Sequence, residues 1–129
     1  MPPKTDIAIP PGGRIGILGG GQLGRMTALA AARLGYSAHI FAPEADTPAG
    51  QVASAVTRAE YTNTAALKAF AASVDAVTLE FENVPVSALE TLVAIVPMRP
   101  GAGCLAAAQD RLVEKRFLES VGAGFAPYP

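Results

Sequence analysis

Arg14-Ile15-Gly16-Ile17-Leu18-Gly19-Gly20-Gly21-Gln22-Leu23-Gly24-Arg25-Met26 is the stretch on which the fold turns. Ile15 to Leu18 is a short, mostly apolar run and reads as a buried parallel strand. Three glycines follow, and a helical pattern begins near Gln22. Gly19, Gly21 and Gly24 fit the spacing G-x-G-x-x-G between a strand and a helix. In that setting Gly19 permits the tight turn, Gly21 lets a phosphate approach the backbone, and Gly24 lets the helix pack on the strand. The unpaired N–H groups of the helix start then face an anion. The alternative is a glycine turn that only connects strand to helix.

The 129 residues make one domain's worth of chain. Half are hydrophobic and 16% charged, which permits a packed core and argues against general disorder. Net charge is −1 and no basic run stands out, so the composition does not suggest a nucleic-acid surface. The single Cys104 has no partner for an internal disulfide, which suits a reducing compartment. No apolar stretch has the length and freedom from charge to span a membrane. Residues 1–13 lack the apolar core of a signal peptide and read as a mobile lead-in before a domain over 14–129. A soluble, cytoplasmic protein is expected.

Leu23, Met26, Ala30 and Leu34 recur at helical spacing and predict a buried helix face, with Leu29 at its margin. Gly35 is placed to end that helix as a C′ glycine. Ser37 to Phe41 reads as a second strand, followed by a loop from Ala42 to Gly50. Gln51 to Thr57 is open between a short helix and a short strand. Thr62-Asn63-Thr64 offers an N-cap for a helix over Ala65 to Ser73 with Leu67, Phe70 and Ala71 on one side. Ala76 to Phe81 is a third strand. Pro85 starts a helix with Val86, Leu89, Leu92 and Val93 apolar. Ala94 to Met98 could form a fourth strand confined to an edge by Pro97. A helical turn or more is expected in Ala102 to Gln109, and a helix from Asp110 to Val121. Alternating strands and helices imply a parallel α/β sheet with helices on both faces, a Rossmann-like fold. Ligands of such sheets bind outside the carboxyl ends of the strands. That selects the Gly19–Gln22, Ala42–Pro48 and Glu80–Val84 loops.

Glu80 and Glu82, two apart, would lie on one side of the third strand and need partners such as a ribose diol, an amine or a cation. Alternatively Glu82 or Asn83 caps the helix at Pro85. Glu44, twenty positions after Gly24, could hold an adenosine ribose and supports a second reading, a nicotinamide-dependent oxidoreductase. Asp110, Arg111, Glu114 and Lys115 form either a solvated mixed-charge face or, through Arg111, a fork for a phosphate or carboxylate. His39 in its apolar strand reads as structural, and Cys104 as a small packing residue. A non-catalytic binding module is the third reading.

Three motifs together resemble one family, the N5-carboxyaminoimidazole ribonucleotide synthases. They are Gly19-Gly20-Gly21-Gln22-Leu23-Gly24-Arg25-Met26, Thr78-Leu79-Glu80-Phe81-Glu82-Asn83-Val84-Pro85 and Gln109-Asp110-Arg111-Leu112-Val113-Glu114-Lys115. The resemblance implies the Rossmann-like pre-ATP-grasp domain of an ATP-grasp ligase of purine biosynthesis. In that family ATP phosphorylates bicarbonate, and carboxyphosphate or its carbon dioxide carboxylates the exocyclic amine of 5-aminoimidazole ribonucleotide. The implied substrate-binding residues are Gly20, Gly21, Gln22 and Leu23, on the phosphate side, and Glu82, at the ribose. Arg111 would contribute to the ATP site. The family continues beyond a segment like Ala126-Pro127-Tyr128 into ATP-grasp domains that hold ATP and Mg2+. The chain is therefore expected to be an inactive amino-terminal fragment, with no catalytic residue or metal ligand of its own, of an enzyme that is a homodimer at full length.

Overall fold

The computed structural model describes residues 8–128. Its first strand, β1 (Arg14–Leu18), pairs in parallel with β2 (Ser37–Ala42) on one side and with β4 (Ala76–Leu79) on the other. β3 (Ala55–Arg58) pairs in parallel with β2, so the order across the sheet is β3-β2-β1-β4. α1 (Gln22–Arg33) joins β1 to β2, β2 runs to β3 without a helix between them, α2 (Thr64–Ala72) joins β3 to β4, and α3 (Val86–Val93), α4 (Ala102–Ala108) and α5 (Arg111–Ser120) follow. The chain leaves β1 toward β2 and returns on the far side of β1 as β4. The crevice between β1 and β4 is therefore the topological switch point, where open α/β sheets bind ligands.

Successive side chains of β1 and β2 enter opposite cores. Ile17, Ile40 and Ala42 pack with Ala28 of α1 and Ala49. Leu18 and Phe41 pack on the other face with Leu67, Phe70 and Ala71 of α2, Ala88, Leu89 and Leu92 of α3, and Leu105 of α4. The expected α2 face of Leu67, Phe70 and Ala71 is thus buried as read, and Asn63 caps that helix by accepting from the Ala66 N–H at 3.0 Å. Gly35 (φ 84°) ends α1: its N–H donates to Ala32 O and the Tyr36 N–H to Ala31 O, a Schellman closure.

Several expectations are corrected. The buried side of α1 is not Leu23, Met26, Ala30 and Leu34 but Gly24 and Ala28; Leu23, Met26 and Leu34 are 61%, 64% and 69% exposed. The reason is distance. A Cβ on Gly24 would lie 2.9 Å from Gly19 O and 3.3 Å from Ala49 Cβ, so α1 lies too close to the loop for a large side chain. Gln51 to Thr57 resolves into a turn followed by β3, which continues to Arg58. The third strand of the sequence stops at Leu79, two residues short of Phe81. Ala94 to Met98 makes one parallel bridge, Met98 to Val77, rather than a strand. Pro97 has no N–H to extend the ladder; its carbonyl accepts from Val77 N at 2.9 Å. Cys104 is exposed, and Leu105 carries the packing of α4.

The first seven residues of the expected lead-in, and Pro129, lie outside the described residues. Of the rest, Ile9 O accepts from the Tyr36 hydroxyl at 2.7 Å, and Gly12 N donates to Gly35 O at 2.7 Å.

Candidate site at the carboxyl ends of the strands

The register that pairs Leu18 with Leu79 brings the next residues, Gly19 and Glu80, side by side. Glu80 N donates to Leu18 O at 3.1 Å, which continues the ladder by one bond and delivers the Glu80 side chain into the glycine loop. There its two oxygens divide. Oε1 accepts from Gly21 N at 2.6 Å, and Oε2 accepts from Gly24 N in a short hydrogen bond. The carboxylate thus sits at the amino terminus of α1, where the helix dipole favours an anion and charge-assisted bonds form.

This occupant gives the motif glycines a different meaning. Gly19 turns the chain at φ 109° and has no room for a side chain beside Glu80. A Cβ on Gly21 would lie 2.8 Å from Glu80 Oε1, and one on Gly24 3.0 Å from Oε2. The anion that approaches the backbone at Gly21 is the protein's own carboxylate. The expected same-side pair of Glu80 and Glu82 does not form, because the strand has ended at Leu79 and Glu82 lies exposed in the following bend.

The N–H groups of Gln22 and Leu23 belong to the first turn of α1, and neither has a hydrogen-bond partner among the described residues. Both residues are exposed. The loop after β2 closes one flank: Ala49 N donates to Gly20 O at 2.9 Å, and Thr47, 7% exposed, packs so tightly that a Cβ on Gly20 would meet its Cγ2 at 2.5 Å. Arg25 ties α1 to the same loop, donating to Pro48 O at 3.0 Å and Gln51 Oε1 at 2.8 Å. The structure therefore joins the glycine loop directly to both of the other loops selected from the sequence. Glu44 is exposed on the Ala42–Pro48 loop.

The loop after β4 is held from α4. Gln109 Nε2 donates to Glu82 O at 2.8 Å and Val84 O at 3.0 Å. No side chain caps α3, so neither Glu82 nor Asn83 has the capping role allowed for it. Asp110 is the N-cap of α5, with Oδ1 accepting from Leu112 N and Val113 N, both at 2.9 Å. Arg111 is paired with Glu114 at 2.5 Å, with 81% of its side chain exposed. That pair fits a solvated mixed-charge face, worth at most about 1 kcal/mol.

No motif marks Tyr61, yet its ring packs between Phe41 and Phe81 at centroid distances of 5.7 and 6.2 Å. Burial first, then the negative charges of Glu44, Glu80 and Glu60, hold its phenol well above the ordinary range, so it remains a neutral hydroxyl. Only folding brings it near Glu80, nineteen residues away in the chain. His39 is structural, as expected. Its Nε2 lies 2.8 Å from Thr57 Oγ1 and its Nδ1 3.0 Å from Ser73 Oγ. Ser73 donates its proton to Phe70 O, so it accepts from Nδ1–H, and Nε2 accepts from Thr57.

Among the described residues no group of three or more His, Cys, Asp or Glu side chains is placed to hold a metal. They do not fit a Mg2+ site, and Arg111 alone does not make an ATP site. No described helix is long and apolar enough to cross a membrane.

Known proteins share the sequence and fold of this chain. An N5-carboxyaminoimidazole ribonucleotide synthase of Brucella melitensis biotype 1 is 48% identical over 125 residues, 97% of this chain and 34% of that protein. The crystal structure of an N5-carboxyaminoimidazole ribonucleotide synthetase in complex with ADP superposes with a TM-score of 0.89 at 40% identity, covering 94% of this chain and 32% of that one. The Aspergillus clavatus N5-carboxyaminoimidazole synthase, solved with ADP and 5-aminoimidazole ribonucleotide, superposes at 0.79 with 28% identity, over 91% of this chain and 31% of that one. The chain thus spans about a third of the length of these relatives. The ribonucleotide synthetase preATP-grasp domain family matches residues 13–109, three quarters of the chain, and this chain belongs to that family.

Proposed function

We propose that this chain is the amino-terminal, substrate-binding part of an ATP- and bicarbonate-dependent ligase that converts 5-aminoimidazole ribonucleotide to N5-carboxyaminoimidazole ribonucleotide. The observation that carries the reading is the pair of amides of Gln22 and Leu23 at the start of α1, exposed residues whose N–H groups have no hydrogen-bond partner among the described residues. They stand at the carboxyl edge of the sheet, where a single phosphate gains two N–H donors and the helix dipole. Gly20 and Gly21 shape that turn. Glu82, exposed on the neighbouring loop, is the candidate for the ribose hydroxyls, and a carboxylate is the acceptor such a diol requires.

Arg111 is assigned to the ATP side, where its guanidinium would exchange Glu114 for a phosphate. Mg2+ and most contacts to ATP and bicarbonate belong to ATP-grasp domains outside this chain. The chemistry then proceeds there, and this domain binds and orients the ribonucleotide. The full-length enzyme is assigned to the cytoplasm as a homodimer. Against the nicotinamide reading, which rests on Glu44 and the glycine spacing, stands the engagement by Glu80 of the Gly21 and Gly24 amides that a pyrophosphate would use.

NMR titration of the 129-residue chain tests the reading. The ribonucleotide is expected to shift Gly20 to Leu23, and NADH is not. Shifts with NADH and none with the ribonucleotide would overturn it.

A further inference from the structure

The glycine loop already binds an anion. Its spelling, with Gly19, Gly21 and Gly24 after a buried strand, is that of a loop that receives a pyrophosphate. In the folded protein the Gly21 and Gly24 amides both end on one carboxylate, and that carboxylate belongs to the residue that follows the strand across the switch point. The glycines are small where Glu80 is large: a Cβ at any of the three would press on Glu80. The position of Glu80 is set by the β1–β4 ladder, through its N–H to Leu18 O, and does not depend on a flexible loop.

We infer that Glu80 is the specificity-determining residue of this loop, denying the Gly21 and Gly24 amides to a pyrophosphate and leaving those of Gln22 and Leu23 for a single phosphate. A pyrophosphate has two phosphoryl groups to satisfy, and a loop with half its donors engaged by a fixed negative charge offers it repulsion as well as too few N–H groups. A mononucleotide needs one such group and approaches from the solvent side of the helix start. The second part rests on the ribonucleotide reading above; the exclusion of pyrophosphate does not.

The test uses inorganic pyrophosphate and NADH as probes, so it is independent of whether 5-aminoimidazole ribonucleotide binds. Amide shifts of Gly21 and Gly24 are followed by NMR in the wild-type chain, Glu80→Gln and Glu80→Ala. Millimolar pyrophosphate or NADH is expected to leave both amides unmoved in the wild type. In Glu80→Ala the same probes are expected to shift both amides with affinity raised at least tenfold. Glu80→Gln has nearly the same shape but no charge, and only one amide oxygen for two N–H groups, so it is expected to gain at least threefold for pyrophosphate. Should Glu80→Ala fail to fold, Glu80→Gln decides. Saturable shifts at Gly21 and Gly24 in the wild type would overturn the inference. So would a folded Glu80 variant that binds pyrophosphate no better than the wild type.

Discussion

Gly24→Ala sets two ordinary effects against each other, and the structure decides the sign. Replacing a helix-interior glycine by alanine normally stabilises by about 1 kcal/mol. At Gly24 the new Cβ would lie 2.9 Å from Gly19 O and 3.0 Å from Glu80 Oε2. The first neighbour is backbone in a turn at φ 109°, and the second is held by two N–H groups. Neither yields easily, and overpacking of this kind costs about 1–3 kcal/mol. Moving the carboxylate also weakens the Gly24 N–H bond, of a type worth about 1.5–3 kcal/mol. With part of that bond lost, the net effect is a destabilisation of about 2 kcal/mol, on the order of thirtyfold in the folding constant. The control is Gly103→Ala in α4, where nothing lies within 4 Å of the new Cβ. There the same substitution should stabilise by roughly 0.5–1 kcal/mol. Urea unfolding followed by far-ultraviolet circular dichroism measures both. A Gly24→Ala chain as stable as the wild type would refute the close approach of α1 to Gly19 and Glu80.

His39 is 8% exposed, and burial first, then the Arg14 charge, lowers its pKa below 6.5. The unfolded chain then binds the proton more readily, so the contribution is complete above about pH 6.5 and is lost as pH falls through the lowered value. Stability should be lower at pH 5.5 than at pH 7.5, with the difference largely absent in His39→Gln; equal slopes in urea unfolding would count against this. Asp110→Ala removes the cap of α5 and should cost about 1 kcal/mol. Hydrogen exchange should show faster Leu112 and Val113 amides, and unchanged protection would contradict the capping. In a full-length enzyme, Arg111→Ala should raise the requirement for ATP on the order of tenfold, for a charged hydrogen bond worth about 1.5–3 kcal/mol. Unchanged steady-state ATP kinetics would return Arg111 to the solvated pair with Glu114. Glu82→Gln should weaken ribonucleotide use with the fold intact, and unaltered kinetic constants for the ribonucleotide would dissociate Glu82 from the substrate. The 129-residue chain should release no phosphate from ATP with bicarbonate and ribonucleotide, and robust turnover would place the chemistry in these residues.

Local patterns carried much of the fold. The run Ile15 to Leu18, the cap at Asn63, the stop at Gly35 and the spacing of Leu67, Phe70 and Ala71 each depend on neighbours within a turn or two, so those elements and the parallel α/β class are legible from residue order alone. The choice of buried face on α1 was beyond that reach. Leu23, Met26 and Leu34 make the better apolar stripe, but only tertiary distance says that the sheet accepts Gly24 and Ala28 and excludes larger groups. The same holds for the glycine loop. Its spelling predicts a bound phosphate at the start of α1, and in the folded chain the Gly21 and Gly24 amides hold a carboxylate. That it is Glu80, 56 residues beyond Gly24, was decided by the register of β1 against β4, a long-range pairing that spacing along the chain does not encode.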